Sequence, residues 1–217
     1  DQALSFCNMQ SPPREVLVTV NSGDQPKEGK MVGQVLGVDR ASDLAVIRVN
    51  AGNLPLPLAL ETERELVETQ SVYISGFPFG AQLGKDITVT ASSVSSLRKD
   101  NLGALEQVQL NGGANPGNSG GPVVNTAGNV VGVLVSGIKG AGINFAIPVE
   151  KVRLIMDGRL AESTHGEAYV QAGQARLPVR YRCLDPLNRI RDVRVDVWVG
   201  TPGPPRPNSL EKPQAVP

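Results

Sequence analysis

The chain has 217 residues, with 21 Lys and Arg balanced by 21 Asp and Glu, so its formal net charge is zero. That balance, with no basic stripe and no ladder of stacking aromatics, gives no electrostatic reason to expect nucleic acid or an anionic membrane as a partner. The length suits one large domain or one domain plus part of another, and with aromatics at 4 % the core must rest on Val, Leu, Ile and Ala.

Residues 1–13 open as DQALSFCNMQ, with no initiator Met, no basic start and no apolar stretch of a signal peptide. They read as an atypical or foreign segment, and the chain as processed, cut or incomplete. From residue 14, short Val-rich runs recur between Gly, Pro, Asn and Asp punctuation. They are EVLVTV (15–20), VGQVLGVD (32–39), LAVIRV (44–49), SVYISGF (71–77), DITVTASSVSSL (86–97), LEQVQL (105–110), GPVVN (121–125), NVVGVLVSGI (129–138) and GINFAIP (142–148). Their β-branched content predicts strands, with hairpin turns at NSGD (21–24) and NTAGN (125–129). Many short antiparallel strands without a βαβ rhythm predict an all-β barrel or sandwich.

The first helix is predicted over PVEKVRLIMDGRL (148–160). Pro148 suits its start, Val152, Ile155 and Met156 form an apolar stripe, and Gly158 ends or frays it. A weaker β region covers 166–200, where strict alternation in VRVDVWV (193–199) gives one buried and one solvated face. It reads as a partial β-sandwich-like accessory region. Residues 201–217 carry six prolines in 17 residues and read as a linker or tail. Cys7 and Cys183 lie near opposite ends and define neither a disulfide framework nor a metal-binding pair, so no metal or cofactor is expected. No apolar run reaches the ~18–20 residues of a membrane-spanning helix.

The chemistry concentrates in NGGANPGNSGGPVV (111–124), where one serine is boxed in by glycine. A serine hydroxyl is a poor nucleophile until a base removes its proton. Its attack on a carbonyl makes an oxyanion, which two convergent backbone N–H groups stabilise. Tight backbone with little side-chain bulk is what glycines supply. The N–H groups of Gly117 and Ser119 are placed to converge, and Gly120 and Gly121 let a substrate backbone pass closely. Ser-Gly-Gly alone is cheap in a chain with 24 glycines; on its own it reads equally well as a polar hairpin loop.

The flanks decide. NPGNSGGPVVNTAGNVVGVLVSGI followed by GINFAIPVEKV resembles the C-terminal barrel of HtrA-type (Deg-type) trypsin-like serine proteases. LGVDRASDLAVIRV (36–49) resembles that family's aspartate strand, and VYISGFPFG followed by ITVTASSVSSL resembles its central hairpins, in the right order. The resemblance covers roughly residues 14–155. It implies a trypsin-like double β-barrel over 14–160, with the N-terminal barrel incomplete and one C-terminal helix. It also implies polypeptide substrates and an extracytoplasmic location, and leaves the oligomeric state open. Ser119 would be the nucleophile and Asp43 the triad acid. Gly117, Asn118 and Ser119 would form the oxyanion-hole segment. Asn118 stands where digestive-type trypsins carry an Asp that pairs with a newly cut N-terminus, so a zymogen switch of that kind is not expected. The substrate pocket would be lined by Leu134, Val135 and Ser136, with Ile143, Asn144 and Phe145 facing them and Gly113 and Ala114 at its floor. None of these is acidic, which predicts a small or medium aliphatic residue before the scissile bond.

The base is missing. The resemblance places a histidine near Phe6–Met9, where the chain reads SFCNMQ. The one histidine, His165, lies in AESTHGEAY, read as a polar, exposed loop. Two explanations stay open: the His-bearing strands lie outside this sequence, or the base is replaced and the chain is a pseudoprotease that binds peptides. SLRK (96–99) has the Ser-x-x-Lys spacing of lysine-dyad enzymes but reads as a charged turn, and Lys139 as a solvated residue of GIKGAG. No Gly-Leu-Gly-Phe-like signature of a PDZ carboxylate-binding loop follows residue 155.

Overall fold

A computed structural model describes residues 12–20, 29–52, 54–62, 66–78, 86–138 and 142–195. The N-terminal part is a three-stranded antiparallel sheet in the order β1 (Glu15–Val20), β2 (Gly29–Asp39), β3 (Leu44–Val49). The register pairs Val16 with Gly33 and Gly33 with Val49, and a bulge between Val35 and Gly37 bends β2. Period-2 alternation therefore gathers Val16, Val18, Gly33, Val35, Ile47 and Val49 on one face. The sheet does not close. Its two outer strands keep open edges among the described residues, and Ile47 is 43 % exposed. A trough of ≈ 730 Å³ runs along it, lined among others by Pro12, Val16, Val18, Val35, Ile47 and Asp43. The hairpin expected at 21–24 lies outside the described residues.

The second part closes. Strands β4 (Ser71–Gly76), β5 (Thr88–Lys99), β6 (Leu105–Asn111), β7 (Pro122–Asn125), β8 (Val130–Ile138) and β9 (Ile143–Pro148) form a barrel in the order β4-β5-β6-β9-β8-β7, with β7 returning to β4. The inward positions are aliphatic: Val72, Ile74, Val94, Val108, Leu110, Val123, Val131, Leu134 and Ala146 are each 2 % exposed or less. Closure removes every edge, which is why short strands suffice. β5 runs through Lys99, so Ser96–Lys99 lie in a strand rather than a turn, with Arg98 hydrogen-bonded to Gln109 across the ladder.

The segment between the two parts is stitched to the barrel. Leu60 makes a parallel bridge to Val130, and Glu61, 7 % exposed, accepts the Asn125 Nδ2–H at 2.7 Å. The helix α1 spans Val149–Asp157 and follows Pro148. It stops earlier than the sequence pattern suggests, because Gly158 at φ 86 turns the chain away. Arg159 then opens β10 (Arg159–His165), which pairs with β13 (Val179–Leu184); β11 (Tyr169–Gln171) and β12 (Gln174–Arg176) form a small hairpin between them. Residues 193–195 carry no strand, and 196–199 lie outside the described residues. No helix among the described residues is long and apolar enough to cross a membrane.

Candidate active site

The loop from β6 to β7 is built from two successive turns. Asn115–Asn118 closes with the Asn118 N–H donating to Asn115 O at 3.0 Å, and Asn118–Gly121 with the Gly121 N–H donating to Asn118 O at 2.9 Å. Each has glycine at its third position with positive φ, Gly117 at 103° and Gly120 at 84°, the type II pattern. Pro116 presets the first turn and Ser119 takes the corresponding place in the second. Ser119 is thereby lifted to an exposed apex. Among the described residues, neither the Gly117 nor the Ser119 N–H enters a backbone hydrogen bond.

The loop is pinned from several sides. The Gly120 N–H donates to Leu134 O at 2.7 Å, and the Leu134 N–H to Gly121 O at 3.0 Å. At the other end, Gly112 donates to Gly142 O at 2.6 Å and receives the Asn144 Nδ2–H on its own carbonyl at 2.9 Å. The end of β4 presses against the turns from below. A Cβ on Gly117 would collide with Phe77 O, and one on Gly121 with Ser75 O. Asn118 is 1 % exposed and lies so close over β4 that a Cβ at Gly76 would stand 2.6 Å from its Oδ1. Among the described residues, neither Asn118 Oδ1 nor Nδ2 has a hydrogen-bond partner.

Of the residues expected to line a pocket, Leu134 and Asn144 hydrogen-bond to this loop, and the others lie on β8, on β9 and at the start of the loop. Gly113 is half-buried against Ala91 O and Thr90, and Ala114 packs against the barrel core. In the β8–β9 ladder Ser136 pairs with Phe145 and Gly137 with Asn144, past a bulge after Leu134. Leu134 contributes backbone to the site, while its side chain is core. Val135, Ile143 and Phe145 are half-buried, and the Arg98 guanidinium lies 5.9 Å over the Phe145 ring.

Asp43 belongs to the other sheet. It ends the turn between β2 and β3, is exposed, holds a left-handed φ of 52° and lines the trough. No hydrogen bond or ion pair among the described residues joins it to the serine loop. Its neighbour Asp39 was not singled out by the sequence, although Asp39-x-x-Ser42 is an Asx-turn signal. Burial pushes the Asp39 carboxyl up, but hydrogen bonding and charge from Arg159, with hydrogen bonds from Ser42, outweigh it and hold the group below its ordinary value. His165 is the last residue of β10 rather than a loop residue, and it is exposed. Six residues of strand at ~3.3 Å each put it ~20 Å from Arg159 at the hairpin base. Among the described residues no group of three His, Cys, Asp or Glu side chains is placed to hold a metal ion.

Residues 8–133, more than half of the chain, match the trypsin-like peptidase domain family. The chain is similar to "Probable periplasmic serine endoprotease DegP-like" of Chlamydia muridarum, with 34 % identity over 155 residues, 68 % of this chain and 29 % of that protein. It is similar to "Serine protease HTRA1" of Xenopus laevis, with 38 % identity over 130 residues, 57 % of this chain and 27 % of that one. The chain thus spans roughly a third or less of these curated relatives. Among solved structures, the serine endoprotease from Yersinia pestis superimposes with a TM-score of 0.53 at 26 % identity, covering 65 % of this chain and 47 % of that chain. An HtrA-type protease solved with a decapeptide gives 0.54 at 29 % identity, covering 65 % and 42 %.

Proposed function

The chain belongs to the trypsin-like peptidase domain family, of the HtrA type, and on that premise we propose that residues 14–160 are the core of a serine endopeptidase with Ser119 as nucleophile and Asp43 as triad acid. The observation that carries this reading is the double turn, which exposes Ser119 and leaves the Gly117 and Ser119 N–H groups without backbone partners among the described residues. In the reaction the Ser119 Oγ–C bond forms as a base takes the hydroxyl proton. The carbonyl electron pair moves onto oxygen, where the two N–H groups stabilise it. Collapse expels the amine, which takes the proton, and water then hydrolyses the acyl-enzyme. Asn118 is the backbone link between the two N–H donors. Val135, Ser136, Ile143, Asn144 and Phe145, with Gly113 and Ala114, are the positions of the substrate side, and their lack of acid favours small or medium aliphatic side chains over Arg or Lys.

The base is the open step. His165 at the far end of β10 does not supply it. A serine protease without its base loses on the order of 10⁶ in turnover, about 8 kcal/mol, and retains ~10³–10⁴ over water from the oxyanion hole and binding. These 217 residues by themselves should therefore be nearly inert. In the favoured reading the histidine arrives on strands that pack on the trough beside Asp43. The second reading, a pseudoprotease that holds peptides, is favoured by the fact that His165 is the sequence's single histidine. Residues 166–200 serve as an accessory region, substrates are polypeptides, and the relatives named periplasmic suggest an extracytoplasmic location.

Imidazole supplied in solution tests the reading. With a fluorophosphonate, the Ser119 Oγ–P bond forms, fluoride leaves and imidazole takes the proton. Labelling that depends on imidazole and vanishes in Ser119→Ala is the expected result. A folded chain that stays unlabelled at every imidazole concentration would sink the assignment of Ser119. Coding sequence upstream of Asp1 ending a strand in histidine supports the enzyme, and a native start at Asp1 supports the pseudoprotease.

A further inference from the structure

Asp39 closes β2 with 5 % of its surface exposed. Its Oδ1 accepts the N–H groups of Ala41 at 3.2 Å and Ser42 at 3.4 Å, so the turn 40–43 folds around it. Its Oδ2 accepts two donors from Arg159, Nη2 at 2.7 Å and Nε at 3.2 Å, from 120 residues away. A buried carboxylate needs such a partner. Deprived of it, Asp39 must take up a proton or draw in water, and its acceptor strength toward the two N–H groups falls. Asp43 at the end of the same turn holds a left-handed φ of 52°, a conformation that Asp adopts more readily than most non-glycine residues, so the fold of the turn sets where its carboxylate lies.

Arg159 is itself held in place. It follows Gly158, where an added Cβ would stand 2.7 Å from Ile190 Cγ1. The turn after β13 is closed by Asp185, whose carboxylate accepts the N–H groups of Arg189 at 2.8 Å and Ile190 at 2.9 Å. Arg189 reaches back to Asp157 at 2.6 Å. Pro186 and Leu184 lie against Gly37 of β2, where a Cβ would stand 3.0 Å from Pro186 Cβ. Every one of these C-terminal residues lies beyond the stretch that matches the peptidase family, which ends at 133.

We infer that Arg159 is a positioning residue for Asp43, and that the hairpin β10–β13 with the 185–190 turn is a bracket holding it, so that the region after the barrel sets the orientation of the triad acid. The inference rests on the reading of Asp43 as that acid. The bracket adds no reacting group. It fixes the turn through Asp39, and whatever displaces the hairpin loosens Asp43.

The test uses the full 217-residue chain as wild type, Arg159→Ala, Arg159→Lys and Arg180→Ala, the last removing an exposed arginine on the same hairpin. Amide exchange is followed by NMR, and imidazole-promoted fluorophosphonate labelling of Ser119 in parallel. In Arg159→Ala the Ser42 N–H should exchange about tenfold faster and labelling should fall by about tenfold. Both should recover in part in Arg159→Lys. The amides of Ile74 and Leu110, and every readout in Arg180→Ala, should stay at wild-type values. Unchanged Ser42 exchange in Arg159→Ala, or acceleration that spreads to Ile74 and Leu110, overturns the bracket. Labelling indifferent to Arg159→Ala overturns the role toward Asp43 alone. A wild type with no Ser119-dependent labelling defeats the catalytic reading and this role together, so the two failures are distinct.

Discussion

The three-stranded sheet and the six-stranded barrel are written in the same alphabet of alternating Val, Ile and Leu, yet they bury it differently. In the barrel, Ile74 and Leu110 have no exposed surface, whereas Leu17, Val32 and Ile47 of the sheet are 67, 60 and 43 % exposed. Alternation specifies two faces; only closure of the ladder specifies that one of them becomes an interior. A Val-rich run therefore carries information about strand formation in both regions and about core membership in one.

Core truncation should separate the two regions most sharply. Leu110→Ala in the barrel should cost about 2–5 kcal/mol in denaturant unfolding, while Ile47→Ala on the open sheet should cost less than ~1 kcal/mol. Equal losses would mean that the open face is covered in solution. Within the barrel, the serine loop can be compared with a plain turn. Gly117→Ala and Gly128→Ala share the strain of positive φ, but a Cβ at 128 meets nothing within 4 Å, whereas at 117 it strikes Phe77 O. Gly117→Ala should be about 1–3 kcal/mol worse in thermal unfolding; equal melting temperatures would contradict the close packing of β4 under the loop.

Acid distinguishes the regions more gently. Asp39 in the sheet has a depressed carboxyl. Its contribution is whole above the unfolded value of about 3.9 and is lost as pH falls through the lower native one. Asp39→Asn should lower stability at neutral pH and flatten the decline below pH ~4; an unchanged acid limb would show that Asp39 is not the group responsible. Glu162→Gln should be smallest of all. It removes a solvent-exposed pair with Arg182, and the unfolding midpoint should not move measurably.

Strand positions were legible where β-branched residues alternate, as in LAVIRV and GINFAIP. They were not legible in RLAESTH, where β10 is held by pairing with β13 rather than by propensity. The strand pattern of β5 was legible through Leu97 but not over Arg98 and Lys99, which pair with β6 across a bulge. The two turns of the serine loop are encoded locally by Pro-Gly and Ser-Gly, although their type was not read from the sequence. Contacts between distant residues left no such trace. Arg159 meets Asp39 across 120 residues, and Asn118 fits onto Gly76, a glycine that looks idle in the sequence.

The stitch at Leu60 and Glu61 also sets where the molecule can be cut. Leu54, Leu56 and Leu58 are 47, 93 and 53 % exposed and belong to no strand or helix, so a protease finds its substrate there. Residues 59–61 are shielded by their bonds to Val130 and Asn125. The natural N-terminus of an excised barrel is thus residue 59 and not Ser71, where its first strand begins. A fragment trimmed to the strand would leave Asn125 facing an empty seat.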